Sequence, residues 1–169
     1  QHSADKTLLS IPGGRNLTGS DLDAESAIIS SALVDLGLEP GDRVSVQIDK
    51  GWMNVVLYLA VLRCGAVYLP LNSAYTNSEI EYFLTDAESK FHVCLADRLS
   101  HIESLKGSIP GLKVLTLDGE TGSLVDAFET AKASGQSFTD IVARAADDLA
   151  SIVYTSGTTG KPKGAMITH

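Results

Sequence analysis

Ten consecutive residues, Thr155-Ser-Gly-Thr-Thr-Gly-Lys-Pro-Lys-Gly164, concentrate the chemistry of this 169-residue chain. They hold three glycines, four hydroxyl side chains and two lysines. Gly157, Gly160 and Gly164 permit positive φ and a close approach of backbone to a ligand. Successive N–H groups in such a turn point into one concavity and bind an anion. Thr155, Ser156, Thr158 and Thr159 add hydroxyl donors, and Lys161 and Lys163 add positive charge. All 21 acidic residues precede Ala150, whereas two of the 13 basic ones lie in this loop. A cationic, donor-rich loop on an acidic chain is a candidate phosphate site, where each charge-assisted hydrogen bond contributes ~1.5–3 kcal/mol. The same composition also suits a Gly/Ser/Thr hairpin loop that binds nothing.

The loop is not a Walker A motif, which needs Gly, four residues, Gly-Lys and then Ser or Thr. Here Pro162 follows Gly160-Lys161, and position 155 is Thr, so the Mg²⁺-binding hydroxyl of that motif is missing as well. Pro162 removes a donor that a helix interior requires. The loop is therefore predicted to join two strands and not to open a helix. Because Gly-rich loops make few fixed contacts, residues 156–163 are predicted to be among the least ordered without ligand.

Short apolar runs alternating with helical patterns must position this loop. Thr18 and Asp21 stand at capping-box spacing before Leu22, Ile28, Ile29, Ala32, Leu33 and Leu36, and Gly37 supplies a stop. Pro40-Gly41-Asp42 is a turn, and Val44, Val46 and Ile48 alternate as in a strand. Trp52 to Arg63 reads as a buried helix that Gly65 ends. Ala66 to Leu71 is a strand whose Pro70 places it near an end or an edge. Thr76 and Glu79 form a second capping box, before Ile80, Phe83, Leu84 and Ala87 on one helical face. Further strands are predicted at Phe91–Leu95, Leu112–Leu117 and Ala150–Tyr154, and helices at Arg98–Lys106 and Leu124–Ala133. Ser134 to Asp148 is a polar connector with weak helical character, and Ala165 to Thr168 a return strand. Strands separated by helices at these spacings give an α/β fold with a mainly parallel sheet flanked by helices.

Composition narrows the partners. A formal net charge of −8 disfavours nucleic acid and anionic membrane surfaces. The longest apolar run, Val55 to Leu62, falls well short of the ~20 residues of a membrane span. Cys64 and Cys94 have no paired Cys or His spacing, which fits a reducing compartment. No signal peptide is legible, although the first residue is Gln1, and a cytoplasmic or organellar-matrix location is expected.

The segment Tyr154 to Gly164 resembles, over eleven consecutive residues, the phosphate-loop signature of the adenylate-forming superfamily of acyl-CoA synthetases, luciferases and peptide-synthetase adenylation domains. Leu17-Thr18 with Leu22, Pro40-Gly41-Asp42-Arg43-Val44 and Leu62-Arg-Cys-Gly-Ala-Val-Tyr-Leu-Pro-Leu71 are similar to earlier motifs of that family, in order. Val46-Gln47 to Lys50, Leu57-Tyr58-Leu59-Ala60, Pro70 to Thr76 and Tyr82 to Glu88 look most like malonyl-CoA synthetases. Adenylation domains usually carry Asp at the position of Asn72 and a second Pro at that of Thr76. An aromatic residue at Gly19, and Arg on the opening helix, are family features this chain lacks.

The resemblance implies a two-step ligase. A carboxylate attacks the α-phosphate of ATP to give an acyl-adenylate and release pyrophosphate, and the thiol of coenzyme A then displaces AMP as a thioester forms. Thr155, Ser156, Gly157, Thr158, Thr159, Gly160 and Lys163 would contact the β- and γ-phosphates, with Mg²⁺ bridging phosphate oxygens. Lys163 stands at the position of the family's loop lysine and is the candidate catalytic residue, whereas Lys161, a further candidate for binding the nucleotide, stands at a variable position. The resemblance further implies that residues 1–169 are an N-terminal fragment of the AMP-binding large domain, inactive alone, with the C-terminal domain absent. Aryl- or fatty-acyl-CoA ligases, a peptide-synthetase adenylation domain and a non-catalytic phosphate- or nucleotide-binding module are the alternatives.

Other candidates read as structure. His92 suits a core strand, His101 a solvated helix, and His2 the terminus. His169 follows the return strand, from which it could approach an acyl pocket. Trp52, Tyr58 and Phe83 read as core, Cys64 and Cys94 as small buried apolar residues, and Lys50 as a solvated loop residue. The acidic groups Asp21/Asp23/Glu25 and Asp147/Asp148 read as solvated caps rather than metal sites.

Overall fold

The computed structural model describes residues 3–155 and 162–169. A short hairpin not foreseen from the sequence opens the fold: β1 (Thr7–Ser10) pairs antiparallel with β2 (Asn16–Thr18) as a separate two-stranded sheet. Its turn passes through Gly13-Gly14, and that punctuation between two short apolar runs is the signal that could have found it. Thr18 then caps α1 (Gly19–Asp35). Its hydroxyl accepts from the Asp21 N–H, and the Asp21 carboxylate accepts from the Thr18 N–H at 2.8 Å.

The rest of the chain builds one sheet. β3 (Arg43–Gln47), α2 (Trp52–Arg63), β4 (Val67–Pro70), α3 (Asn77–Asp86) and β5 (Phe91–Cys94) alternate as predicted. A 3₁₀ turn, α4 (Leu99–Ser104) and another 3₁₀ turn lead to β6 (Lys113–Thr116) and α5 (Ser123–Ala133). β7 (Leu149–Thr155) and β8 (Lys163–Thr168) complete it. The strand order is β6-β5-β3-β4-β7-β8, with every pairing parallel except the antiparallel β7–β8.

Helices cover both faces. α1, α2 and α5 supply one apolar cluster around Ile29, Leu33, Val56, Leu57, Val61 and Phe128. α3 and α4 supply the other, around Ile80, Phe83, Leu84 and Ile102. α1 and α2 approach closely because small residues line the contact: Ser30 is fully buried, and its Oγ reaches the carbonyls of Ser26 at 2.7 Å and Ala60 at 3.1 Å.

Several expectations need correction. Pro70 ends β4, but β4 lies inside the sheet, between β3 and β7. Val67 and Leu71 donate their N–H groups to Asp42 and Val46 on the β3 side. By alternation the Pro70 nitrogen faces β7, where the registered ladder is the single pair Tyr68↔Ser151. The connector 134–148 forms no helix. It is held extended because its N–H groups go elsewhere: Phe138 donates to Ala27 O and Val142 to Arg63 O, while Arg63 Nη1 donates to Thr139 O at 2.9 Å. Gly65, at φ +67°, leaves no room for a side chain because Val142 Cγ1 lies 2.8 Å from where its Cβ would be.

Candidate functional site

Thr155 ends β7 and Lys163 opens β8, and the two residues are register partners. The strand–loop–strand arrangement predicted for the motif is therefore present. Thr155 Oγ1 lies 3.4 Å from the Lys163 carbonyl. Both side chains are exposed. Ser156, Gly157, Thr158, Thr159, Gly160 and Lys161 lie outside the described residues, as does most of the segment 156–163 for which low order was expected.

The two ends of the loop stand at the carboxyl edge of the parallel strands, the edge at which open α/β sheets bind ligands. Thr155 is the last residue of β7, which runs parallel to β4. β8 is an edge strand open on both faces: Met166 is 72% exposed on one and Ile167 48% on the other. Gly164 lies against Tyr154, and a Cβ there would meet Ile152 Cγ2 at 2.8 Å. Glycine is thus required for the close approach of the two arms, and no ligand need be invoked for it.

Pairing sets which side chains share a face. Thr155 and Lys163 project to the α2 side with Val153, Ala165, Ser151 and Ile167. Tyr154 projects the other way, into the α3 cluster. Its ring packs on Phe83 with centroids 4.5 Å apart, and its hydroxyl donates to Asp86 Oδ2 at 2.5 Å. Burial pushes the Tyr154 phenol above its ordinary pKa, and the hydrogen bond to the Asp86 carboxylate pushes the same way, so Tyr154 stays a neutral donor. Tyr82 on α3 donates its hydroxyl to the carbonyl of Pro162 at 3.1 Å. Tyr82 and Asp86 were quoted from the sequence only as part of a family likeness. The signal that singles them out is their i, i+4 spacing, which puts two polar tips on one helix face.

The remaining sequence candidates separate cleanly from this site. His92 is fully buried in β5. Ser45 has a single proton, given to the Phe91 carbonyl at 3.0 Å, so His92 Nδ1 is the donor across the 2.8 Å contact with Ser45 Oγ. Burial pushes the imidazole pKa down to about 4, against the smaller opposing effect of Ser45. Burial also raises both thiols, that of Cys94 to about 11, so neither is an activated nucleophile. Phe83 is core as expected, but Tyr58 is 38% exposed and Trp52 half-buried, with its indole N–H donating to Glu120. His101 is half-buried rather than solvated, and its Nε2 is buried without a partner. Lys50 is exposed. Asp21 is a cap, whereas Asp23 and Glu25 pair with Arg63 and Arg15, and Asp148 with Arg144. His169 lines an open pocket of about 540 Å³ with Leu22, Leu59 and Ile141, away from the loop. Among the described residues no group of three or more His, Cys, Asp or Glu could hold a metal ion. No described helix is long and apolar enough to cross a membrane.

The sequence matches the family described as "AMP-binding enzyme" along residues 1–169. The chain belongs to that family. The chain is similar to tyrocidine synthase 1 of Brevibacillus parabrevis, 34% identical over 92% of this chain and 13% of its own length. An oxalate–CoA ligase of Arabidopsis thaliana is 33% identical over 98% of this chain and 32% of its own. Among solved structures, apo MatB of Rhodopseudomonas palustris superposes with a TM-score of 0.90 at 40% identity, covering 99% of this chain and 32% of that one. The anthranilate–CoA ligase AuaEII in complex with anthranoyl-AMP superposes at 0.84 with 27% identity. The chain thus spans about a third, or less, of the length of each of these proteins.

Proposed function

We propose that this chain is the N-terminal part of the large domain of an AMP-forming acid–thiol ligase, and that its loop binds the β- and γ-phosphates of ATP. The observation that carries the reading is the mounting of Thr155 and Lys163. They are paired at the carboxyl edge of a parallel sheet, at the two feet of a loop rich in N–H, hydroxyl and ammonium donors. Charge builds on pyrophosphate as a carboxylate attacks the α-phosphate, and preorganised donors there lower the barrier. Lys163 is assigned as the transition-state donor. Thr155, Ser156, Gly157, Thr158, Thr159 and Gly160 are assigned as phosphate contacts, with Lys161 contributing charge alone. Mg²⁺ would arrive with ATP, on the phosphate oxygens. Coenzyme A is the proposed thiol.

The proposed acid is malonate. The likeness of residues 46–50, 57–60, 70–76 and 82–88 to malonyl-CoA synthetases supports it, alongside the 40% identity to MatB over nearly the whole chain. Thr76, which caps α3 through its hydroxyl, stands where adenylation domains usually carry a proline, which disfavours that alternative. The test is ATP–pyrophosphate exchange by the full-length parent with malonate, oxalate, anthranilate, a fatty acid and a panel of amino acids. Exchange with malonate is expected. Exchange with amino acids alone would favour the second reading, an adenylation domain, which the likeness to tyrocidine synthase 1 supports. ATP binding without exchange would indicate a non-catalytic nucleotide-binding module.

A further inference from the structure

Helix α3 grips both feet of the loop. Asp86 accepts from the Tyr154 hydroxyl at 2.5 Å, one residue before Thr155. Tyr82, four residues earlier on the same helix face, donates to the Pro162 carbonyl at 3.1 Å, one residue before Lys163. That carbonyl belongs to the peptide that carries the Lys163 N–H, so the bond sets the plane of the peptide. Between the two polar contacts, Phe83 packs on Tyr154 at 4.5 Å and on Tyr82 at 5.5 Å.

The helix is itself a fixed reference. A complete capping box of Thr76 and Glu79 sets its start. The segment leading into it is held by Gln47, whose buried Nε2 donates to the carbonyls of Asn72 at 3.2 Å and Tyr75 at 3.3 Å. Tyr75 in turn packs on Phe83 at 4.9 Å. A continuous set of contacts therefore runs from the end of β3 through α3 to both ends of the loop.

We infer that Tyr82 and Asp86 are positioning residues, a two-point clamp by which α3 places Thr155 and Lys163 for contact with the polyphosphate. This rests on the proposed function. Each holds a neighbour of a proposed phosphate contact, and donors to an anion lose their effect when displaced by about 1 Å, a misplacement that costs up to ~10²-fold in rate.

The test uses the full-length parent with Tyr82→Phe, which keeps the ring and removes the donor. Asp86→Ala serves as a second variant and Thr85→Ala, an exposed neighbour, as control. Three readouts are compared: affinity for a non-hydrolysable ATP analogue, ATP–pyrophosphate exchange, and conversion of a supplied acyl-adenylate to thioester by coenzyme A. Tyr82→Phe is expected to weaken analogue binding or slow exchange about tenfold, the scale of one lost hydrogen bond. The thioester step should stay within about twofold, since pyrophosphate has already left. Analogue affinity and exchange equal to wild type would overturn the inference. So would an equal fall in both half-reactions together with a lowered Tm, the mark of a merely structural role. If wild type exchanges with no carboxylate, the ligase reading fails, and analogue affinity of wild type against Tyr82→Phe still decides the clamp.

Discussion

The centre of the sheet and its β8 edge are built on opposite terms. β3 and β5 are buried almost throughout, with helices on both sides, and even their polar groups are absorbed, as in the Ser45–His92 pair. β8 is exposed at every residue. Stability is therefore concentrated in the centre, and the proposed chemistry stands on an edge that contributes little to it. Sites carried on loops over a rigid scaffold follow this pattern, because donors meant for a ligand cannot be spent on the core.

The largest effect should come from the point where the two regions meet. Phe83 is fully buried among Tyr75, Tyr82 and Tyr154. Phe83→Ala should cost about 3–5 kcal/mol of stability. Urea unfolding measures it, and a loss under 1 kcal/mol would break the contrast between centre and edge.

Lys163→Ala tests the edge. In the full-length parent it should slow adenylation by about 10²–10³-fold, the scale of one transition-state donor, while leaving the unfolding midpoint unchanged. Lys161→Ala should do far less. Equal damage from the two, read by pyrophosphate exchange, would refute the assignment of Lys163.

His92 makes the centre sensitive to acid. Its folded pKa lies near 4, below the ordinary value of 6.5, so the unfolded chain takes up a proton that the folded chain refuses. The associated stability is present above pH 6.5 and is lost as pH falls from 6.5 to about 4, a change of about 3 kcal/mol. Asp21 and Glu79, whose pKa values are lowered mainly by hydrogen bonds to their Thr caps, act the same way at lower pH, as they are protonated. Urea midpoints from pH 7 to 4.5 should fall steeply for wild type and weakly for His92→Gln. Matching slopes would show that His92 is not the group responsible.

The smallest effect belongs to the α3 cap. Thr76→Ala removes the acceptor for the Glu79 N–H and should cost about 1 kcal/mol. A thermal shift of a few degrees is the expected readout. No shift would mean that Gln47 alone holds the start of the helix.

Much of this architecture was legible in local patterns. Periodicity and punctuation placed α2 at Trp52–Arg63, and both capping boxes came from Thr at one position and an acid three residues on. These signals are local, because helix periods and caps are satisfied within one turn of chain. The composition of residues 155–164 offers donors for an anion wherever the loop stands, and its reading as a phosphate site is a proposal. The rest depended on which elements become neighbours. The interior place of β4 despite Pro70, the helix-free path of 134–148, the partial exposure of Tyr58 and the partnering of Tyr82 and Asp86 with Pro162 and Tyr154 all join residues distant in sequence. The sequence alone thus determined most of the helices and strands of the main sheet, through short-range geometry, but not the β1–β2 hairpin. Only the tertiary structure decided what grips that loop, because the contacts between α3 and its two feet span 68 and 80 residues of chain.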